Sequence, residues 1–460
     1  MAESLIISVS GMRGVIGENL TPVIAAQYGS AFGTFLRDAA AGDGRRLRVC
    51  IGRDSRVSGQ MLLSAVTAGL CSVGVDVVDL GLVTTPCVGI MLRELGCDGG
   101  IVITASHNPL PYNGIKLLLS NGMAPPAATA ARIKQAFLDG QARYVGSVDC
   151  GGVSRNEDTD RIHVEKVLAT IHPKQIAAKR FRIVLDSVNG AGARVAKKLL
   201  AELGCQVIAM NDEPTGLFAH GAEPIAVNLT DLCRRVRQEK ADLGFAQDPD
   251  ADRLAIVDEN GVYIGEEYTL ALAARHIFSS QGGTAAANLS TSRMIDDIAE
   301  RAGAKVLRTP VGEAHVANAM IERHCVIGGE GNGGVIDLRV GPIRDSLVGM
   351  GLVLQLMADT GKSISGLVAE IGSYSMNKDK FSANAEQAKE IMKRAAQKFP
   401  DAAANTADGL RLDFPDAWIH LRTSNTEPVM RIIVEAKDEA TAKRYIRAVS
   451  EIRESVLAGR

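Results

Sequence analysis

Short apolar runs rich in β-branched residues alternate with amphipathic segments from the N-terminus to about Ser373. Leu47 to Ile51 is predicted to form a strand, followed by a helix from Gly59 to Val73. Phe181 to Leu185 opens a second such pair, with a helix that runs to about Leu203. Strands that alternate with helices in this way are typical of α/β layers. The pattern therefore predicts a fold built from mixed α/β domains.

The pattern changes after Ser373, and 460 residues are too many for a single hydrophobic core. The last part predicts an α+β unit with the elements Glu386 to Phe399, Leu410 to Phe414, Trp418 to Leu421, Val429 to Val434 and Glu439 to Val456. We predict four domains, at residues 1–150, 151–253, 254–372 and 373–460. The first three have similar patterns, although no residue-level repeat proves a duplication.

Positive and negative residues are nearly balanced, with 51 Lys and Arg against 53 Asp and Glu, and neither sign forms a long run. This excludes broad electrostatic binding of nucleic acid, so any recognition of phosphate must be local. The N-terminus has no signal-peptide pattern, and no apolar stretch is long enough to span a membrane. The eight cysteines contain no C-x-x-C pair, which predicts reduced thiols. We expect a cytoplasmic enzyme that binds neither nucleic acid nor membrane.

Three carboxylates occur at alternate positions in the segment Asp248-Pro-Asp-Ala-Asp-Arg253, between the apolar runs 243–246 and 254–257. Carboxylates this close repel one another unless a cation holds them, and hard oxygen ligands favour Mg²⁺ or Ca²⁺. Because a site with only three protein ligands leaves room for phosphate or water, the segment predicts a Mg²⁺ site.

Two other interpretations of this segment remain open. A calcium EF-hand loop would use the same three Asp residues and Glu259 at its twelfth position, but Arg253 stands where that loop needs glycine. The segment could also be a solvated acidic loop at the surface.

Ser106 lies in Thr104-Ala-Ser-His-Asn-Pro109, directly after the apolar run 100–103. In open α/β sheets, ligands bind beyond the C-terminal ends of the strands. A serine there can accept a phosphoryl group and return it, which divides a transfer into two steps. His107 is adjacent, and we expect it to orient or bind phosphate rather than act as a base, because sequence neighbours rarely adopt that geometry. Taken alone, a serine near an Asn-Pro turn is more often a cap, so Ser106 could also have that role.

Three further loops combine arginine with accessible N–H groups or hydroxyl side chains, a composition that suits phosphate. They are Val9-Ser-Gly-Met-Arg-Gly14, Gly52-Arg-Asp-Ser-Arg56 and Arg422-Thr-Ser-Asn-Thr-Glu-Pro428, the last with Arg431 nearby. Each could also be an ordinary turn with a surface arginine.

The order of these motifs along the chain, from Arg13 through Ser106 and the Asp triplet to Arg422, resembles that of the α-D-phosphohexomutase family. The resemblance covers essentially the whole sequence. It implies three similar mixed α/β domains and a C-terminal α+β domain around a central cleft. Each domain would contribute one loop, for phosphoserine, metal, sugar and phosphate in that order.

The resemblance also implies catalytic roles. Ser106 would carry the phosphoryl group, with His107 beside it. Arg13 and Lys116 match family positions near the reacting oxygens and would transfer protons or stabilise charge. Lys116 is the more credible base, because arginine stays protonated.

The implied binding residues follow in the same way. The metal ligands would be Asp248, Asp250, Asp252 and an oxygen of phosphorylated Ser106, and the substrate-binding residues would be Arg253, Glu330, Asn332, Arg422, Ser424, Asn425, Thr426 and Arg431. Asn332 and Gly334 stand where many relatives have Ser and His, so a role of that His does not transfer. This variant of the loop is similar to the branch often assigned as phosphoglucosamine mutases.

The expected activity is the interconversion of a hexose 1-phosphate and a hexose 6-phosphate, with Mg²⁺ and a hexose 1,6-bisphosphate as intermediate and activator. Glucosamine phosphate is the expected substrate, with glucose or mannose phosphate as alternatives, and the enzyme is expected to be a monomer or homodimer. Alternatives of another class are a Mg²⁺-dependent phosphatase that uses Asp248 as nucleophile and a sugar-phosphate sensor without catalysis.

Overall fold

The computed structural model describes residues 5–9, 11–41, 44–423 and 429–458. The strands within these residues are β1 Ile6–Ser8, β2 Gly11–Val15, β3 Arg48–Arg53, β4 Asp76–Leu82, β5 Gly99–Ile103, β6 Tyr112–Leu119, β7 Val153–Arg155, β8 Arg182–Asp186, β9 Gln206–Met210, β10 Leu243–Gln247, β11 Leu254–Val257, β12 Thr284–Asn288, β13 Lys305–Thr309, β14 Ile327–Glu330, β15 Gly334–Ile336, β16 Ser375–Ser382, β17 Ala403–Asn405, β18 Leu410–Asp413, β19 Ala417–Thr423 and β20 Val429–Ala436. The helices are α1 Pro22–Ala39, α2 Gly59–Ser72, α3 Thr85–Glu94, α4 Ala127–Leu138, α5 Thr159–Leu168, α6 Pro173–Lys179, α7 Gly192–Glu202, α8 Thr230–Glu239, α9 Glu267–Ser280, α10 Met294–Arg301, α11 Glu313–Arg323, α12 Ser346–Thr360, α13 Ile364–Ile371, α14 Ala385–Lys398 and α15 Glu439–Leu457.

The first sheet has the strand order β1-β2-β6-β5-β3-β4-β7. Its centre consists of the parallel strands β4, β3 and β5, followed by the antiparallel β6. Apolar side chains of α1 and α2 cover one face, and those of α3 cover the other. Both faces of the central strands are therefore buried, as expected for a largely parallel sheet.

The second and third sheets have four strands each, in the orders β11-β10-β8-β9 and β13-β12-β14-β15. In both sheets the first strand in sequence lies between the second and the third and is parallel to them, whereas the fourth is an antiparallel edge. Strands β3 to β6 of the first sheet repeat this order. The expected similarity of three mixed α/β domains is confirmed, and it lies in their topology.

Two of the predicted domain boundaries cut across sheets. β7 begins after residue 150 but pairs with β4 of the first sheet, and β11 begins after residue 253 but pairs with β10 of the second. Both are edge strands added after a polar loop, and a local pattern does not reveal which sheet such a strand joins. Beyond β11, the chain turns back and forms one isolated bridge, between Val257 and Tyr263.

Helix α12 joins the second and third units. Its residues 346–358 are buried, and their apolar side chains belong to the same core as residues of α5 and α6 in the second unit. A helix that is apolar on all sides is typically buried in the core of a large protein. α12 therefore fixes the second and third sheets relative to each other.

The fourth unit is an antiparallel sheet in the order β16-β20-β19-β18-β17. Its core lies between one face of this sheet and helices α14 and α15. The other face turns towards the third unit, where His420 Nδ1 lies 2.9 Å from Ser290 Oγ. Among the helices of the described ranges, none is long and apolar enough to cross a membrane.

Candidate functional site

The connection between the third and fourth strands of each α/β unit carries a motif that the sequence singled out. The β5–β6 connection contains Ser106, the β10–β11 connection contains the Asp triplet, and the β14–β15 connection follows Glu330. The backbone N–H of Leu254 donates to the carbonyl oxygen of Gly333 at 3.0 Å, which joins the second and third loops. Equivalent topology thus brings three distant sequence segments to one place.

Ser106 is buried, and its backbone has a φ of 48°, in the left-handed region. Its Oγ donates to Asp248 Oδ2 at 3.0 Å and lies 3.3 Å from His107 Nδ1. Its backbone N–H donates to Thr104 Oγ1 at 2.9 Å. The hydroxyl therefore bonds to a carboxylate of the second unit instead of capping its own turn.

The serine loop is held by the buried guanidinium of Arg56. Its terminal nitrogens donate to the carbonyl oxygens of four residues at 2.6 to 3.0 Å, namely Ser106, Asn108, Pro109 and Tyr112. Its Nε donates to Asp54 Oδ2 at 3.2 Å. All five N–H groups of the guanidinium are thus used. The expectation that the loop 52–56 binds phosphate is wrong for Arg56, which supports the serine loop instead.

The three carboxylates of Asp248, Asp250 and Asp252 are buried, with oxygens within 4.8 Å of one another. Asp250 Oδ1 and Asp252 Oδ1 have no hydrogen-bond partner among the residues that the structure describes. Unpartnered buried carboxylate oxygens are costly unless a cation binds them. This arrangement fits a hard divalent cation, and its burial excludes a solvated acidic loop.

The EF-hand interpretation is also excluded. Glu259 accepts a hydrogen bond from the backbone N–H of Ser365 at 3.2 Å, and β11 follows the Asp triplet directly. The residue that would complete the calcium loop is therefore engaged elsewhere.

The neighbouring charges shift the pKa values of Asp248 and Asp250 in opposite directions. Burial and the neighbouring carboxylates Asp252 and Asp250 raise the pKa of Asp248 well above its ordinary value. Burial alone would also raise the pKa of Asp250, but Lys116 outweighs it and lowers that pKa. Binding of a divalent cation would offset the mutual repulsion of the three carboxylates.

Lys116 Nζ donates to Asp250 Oδ2 at 2.7 Å and lies 3.9 Å from Asp252 Oδ2. Burial lowers the pKa of Lys116, but the two carboxylates outweigh burial, so the net pKa is raised. Of the two roles expected for Lys116, this favours stabilisation of charge over that of a base. Arg13 NH1 donates to Asn108 Oδ1 at 2.9 Å, which brings Arg13 to the serine loop as expected.

His107 and Arg253 lie on either side of Glu223, a carboxylate that the sequence did not single out. His107 Nε2 is 4.0 Å and Arg253 NH1 is 3.4 Å from Glu223 Oε1. Burial and the cations Arg253 and Arg13 lower the pKa of His107 to about 3. The imidazole is neutral at physiological pH, which agrees with a binding rather than an acid role.

Glu330 ends β14 and is buried. Its Oε1 accepts from Asn288 Nδ2 at 2.8 Å and from the Gly312 N–H at 3.1 Å. Its Oε2 accepts from Arg344 NH1 at 2.6 Å and from Asn332 Nδ2 at 3.5 Å. Asn332 Oδ1 is buried, and within the described part of the chain it has no hydrogen-bond partner. The loop therefore presents a fixed carboxylate and an unused acceptor.

Three cations form a row across the fourth sheet. The register pairs Arg422 with Arg431, and Arg431 with Lys380. Directly opposed residues of antiparallel strands share a face, and like charges there are unfavourable unless an anion neutralises them. Arg422 Nε also donates to Asp408 Oδ2 at 3.1 Å. The predicted residues Ser424, Asn425 and Thr426 lie outside the described residues.

Three residues of this region were not recognised as contributors from the sequence: Glu223, Lys380 and Arg344. Lys380 and Arg344 stand in segments with no motif, and only strand register and tertiary contacts bring them to the site. A weak signal existed for Arg344, since Arg344-Asp345 precedes a helix made almost wholly of apolar residues.

Family models match the chain in four parts, all described as phosphoglucomutase/phosphomannomutase. Alpha/beta/alpha domains I, II and III match residues 5–143, 161–261 and 265–374, and the C-terminal domain matches residues 383–452.

Individual relatives agree over nearly the full length. A protein of Thermococcus kodakarensis called "Phosphoglucomutase/phosphomannomutase" is 39% identical, over 98% of each chain. A "Probable phosphoglucosamine mutase" of Methanopyrus kandleri is also 39% identical, over 97% of this chain and 98% of the other. A crystal structure of a phosphoglucomutase/phosphomannomutase family protein from Burkholderia thailandensis is similar with a TM-score of 0.86, 27% identity, and coverage of 100% of this chain and 99% of the other.

Proposed function

The chain belongs to the phosphoglucomutase/phosphomannomutase family of α-D-phosphohexomutases, and we propose that it exchanges the phosphate of a hexose between carbons 1 and 6 through a phosphorylated Ser106. The observation that carries this proposal is the contact of Ser106 Oγ with Asp248 at 3.0 Å, inside a buried cluster of carboxylates and cations. A hydroxyl without such surroundings would be a poor phosphoryl carrier, because charge on the transferring group must be neutralised.

In the first half-reaction, a hydroxyl of the hexose monophosphate attacks the phosphorus of phosphoserine, and the bond to Ser106 Oγ breaks. The proton that the hydroxyl loses makes up for the one that Ser106 Oγ gains, so the half-reaction neither releases nor consumes a net proton. Lys116, held as an ammonium by Asp250, stabilises the charge that develops on the oxygens and is suited to hand a proton to the departing Oγ. Arg13, bonded to Asn108 of the serine loop, adds a second positive charge.

Asp248, Asp250 and Asp252 would hold Mg²⁺, with an oxygen of the phosphoserine as a further ligand. The ion would supply positive charge to the transferring phosphoryl group. The chain prepares this site by keeping Oδ1 of Asp250 and of Asp252 free of protein donors.

The product of the first half-reaction is a hexose 1,6-bisphosphate, which turns over in the cleft and returns its other phosphate to Ser106. The row of Arg422, Arg431 and Lys380 would bind whichever phosphate is not reacting. One anion site can serve both ends because the intermediate carries a phosphate at each. The same bisphosphate would phosphorylate Ser106 in enzyme that has lost its phosphate.

Glucosamine phosphate is the substrate that we propose first, with glucose or mannose phosphate as the second candidate. The proposal is supported by the relative from Methanopyrus kandleri, whose name is a probable phosphoglucosamine mutase, and by the variant loop at Asn332 and Gly334. Asn332 Oδ1 is an acceptor without a donor, and Glu330 is a carboxylate. Both would interact favourably with an amine or hydroxyl of the sugar ring.

The test is conversion of glucosamine, glucose and mannose 1-phosphates, each with a catalytic amount of its bisphosphate, followed by phosphorus NMR. We expect 6-phosphate product from at least one sugar, the highest kcat/KM for glucosamine, and no product with Ser106→Ala. Release of inorganic phosphate without isomerisation would contradict the mutase assignment. A higher kcat/KM for another hexose would replace glucosamine with that hexose.

A further inference from the structure

Arg344 connects the loop that carries the Asp triplet to the loop that carries Glu330. Its NH2 donates to Asp252 Oδ2 at 2.6 Å, and its NH1 donates to Glu330 Oε2 at 2.6 Å. Its Nε donates to Glu313 Oε2 at 2.9 Å. One nearly buried guanidinium thus bonds to three carboxylates from three segments of the chain. Such forked contacts fix the orientation of each carboxylate.

The chain makes room for this side chain at Gly334. A β-carbon added at Gly334 would lie 2.2 Å from Cδ and 2.8 Å from Cγ of Arg344. The next nearest atom is Asn332 Oδ1, at 3.1 Å. The Arg344 side chain can therefore lie where it does only because residue 334 has no side chain.

The backbone at Arg344 is also held in place. Asp345, the next residue, caps helix α12 by accepting from the Leu347 N–H at 2.9 Å. Its other carboxylate oxygen lies 2.6 Å from Nε2 of the buried His163 in the second unit. The Asp345 N–H donates to the Val335 carbonyl oxygen at 2.8 Å. The backbone that carries Arg344 is therefore fixed to both the second and the third unit.

We propose that Arg344 is a positioning residue that prepares the cation site and the sugar site together. It holds Asp252 by Oδ2, so that Oδ1 stays free for the divalent cation, and it holds Glu330 by Oε2, so that this carboxylate faces the sugar in one orientation. This inference rests on the proposed function for the identity of the sugar ligand, but not for the cation. Residues that orient a metal ligand in this way change metal affinity by about 10- to 100-fold.

The decisive variant is Arg344→Lys, which keeps the positive charge but has one nitrogen in place of the planar fork, so that the fixed geometry of the three separate contacts is lost. Loss of charge alone would strengthen cation binding, so a charge-conserving change isolates the loss of orientation. Titration calorimetry of dephosphorylated protein would measure binding of Mg²⁺ alone, and separately of glucosamine 6-phosphate without Mg²⁺. We expect both dissociation constants to rise by about 10-fold or more.

Arg339→Lys is the matched control. Arg339 also donates two or more hydrogen bonds to one aspartate, Asp337. It contacts neither the Asp triplet nor Glu330, and its side chain is half exposed. Both dissociation constants should be unchanged.

Gly334→Ala is a second way to disturb the position of Arg344, and it removes no charge. The new methyl group would displace the Arg344 side chain. It should weaken both ligands in the wild-type background and have no further effect in Arg344→Ala.

Unchanged binding of both ligands in a folded Arg344→Lys protein would overturn the proposal, as would weakening of only one of them. Additive effects of Gly334→Ala and Arg344→Ala would overturn it as well. Failure of the proposed function is a separate outcome, in which wild-type protein binds Mg²⁺ but isomerises no hexose phosphate.

Discussion

Ser106 has a backbone conformation that residues other than glycine rarely adopt, and Arg56 is the residue that maintains it. Without Arg56, four carbonyl oxygens of this loop would lose a charged donor, and the buried carbonyl of Ser106 would be left unsatisfied at a cost of about 1–3 kcal/mol. The position of the phosphoryl carrier therefore depends on a side chain that contacts neither phosphate nor sugar.

Arg56→Lys should lower kcat by about 100-fold, because one ammonium cannot satisfy the four carbonyls and Asp54, and the serine loop would shift. KM for the hexose phosphate should change much less, since Arg56 does not contact the sugar loop. Steady-state kinetics with Arg53→Lys as control would measure this; Arg53 is a neighbour that bonds to Gln60 and stands outside the serine loop. Equal losses in both variants would contradict the assigned role.

The buried carboxyl of Glu267 should make the stability of the protein depend on pH. Burial raises its pKa to about 8, against a normal value of 4.5. Between these pH values the unfolded chain carries the charged form while the folded protein keeps the proton, so stability falls as pH rises. The side chain of Glu267→Gln does not titrate, so the variant does not lose this stability. The free energy of unfolding of Glu267→Gln minus that of the wild type should therefore rise by roughly 1–3 kcal/mol between pH 5 and pH 8.

Thermal unfolding at several pH values would measure this difference. Glu370→Gln is the control, because Lys362 and Arg275 lower the pKa of this exposed carboxyl, so it titrates below that range. A difference between Glu267→Gln and wild type that is constant from pH 5 to pH 8 would contradict the prediction.

At the scale of the element, one connection in a repeated topology forms each of three loops, and a strand register forms the phosphate row. Lys380 enters the site only because β16 pairs with β20 in the observed register, opposite Arg431. Its side chain is exposed, and no described residue forms an ion pair with its ammonium. It is therefore available to an anionic ligand.

Lys380→Gln should raise KM for the hexose phosphate severalfold and leave kcat nearly unchanged, because the lost charge binds the non-reacting phosphate in every state. Lys443→Gln is the control, since Lys443 lies on α15, on the opposite face of the same sheet, where it pairs with Glu439. A fall in kcat without a change in KM would exclude Lys380 from the phosphate site.

The strands and helices that the sequence predicted agree with the structure to within a few residues, for example 99–103 against 100–103, because apolar period and turn residues are local signals. The Asp triplet and Ser106 were recognisable because their chemistry is carried by adjacent residues. The roles of Arg56, Arg344 and Lys380 were not, because each depends on partners far away in sequence. The topological repeat was hidden for the same reason, since strand order is not a property of residue identity.

In the whole molecule, the fourth unit docks on the third through polar contacts that are partly buried or exposed. Arg293 NH1 donates to the carbonyl oxygens of Phe414 and Pro415 at 3.2 and 3.0 Å, and the Arg293 N–H donates to Glu435 at 2.9 Å. If a bisphosphate turns over in the cleft as proposed, this unit would need to open, and the contacts of Arg293 would oppose that opening.

Arg293→Ala should loosen this docking. We expect a larger radius of gyration in small-angle X-ray scattering of the free protein, and a severalfold higher KM, because part of the binding energy must then close the cleft. Arg301→Ala is the control, since the bonds of Arg301 to described residues stay within the third unit, at the carbonyl oxygens of Glu370 and Ile371. An unchanged radius of gyration would contradict a role for Arg293 in docking.

If a phosphoryl group passes through Ser106, it can be located on that residue in the phosphorylated enzyme. Dephosphorylated enzyme would be treated with hexose 1,6-bisphosphate, digested, and analysed by mass spectrometry with and without hydroxylamine. We predict one phosphoryl group on Ser106 that resists hydroxylamine and is discharged when hexose monophosphate is added. A hydroxylamine-labile phosphate on Asp248, or full turnover by Ser106→Ala, would contradict the account.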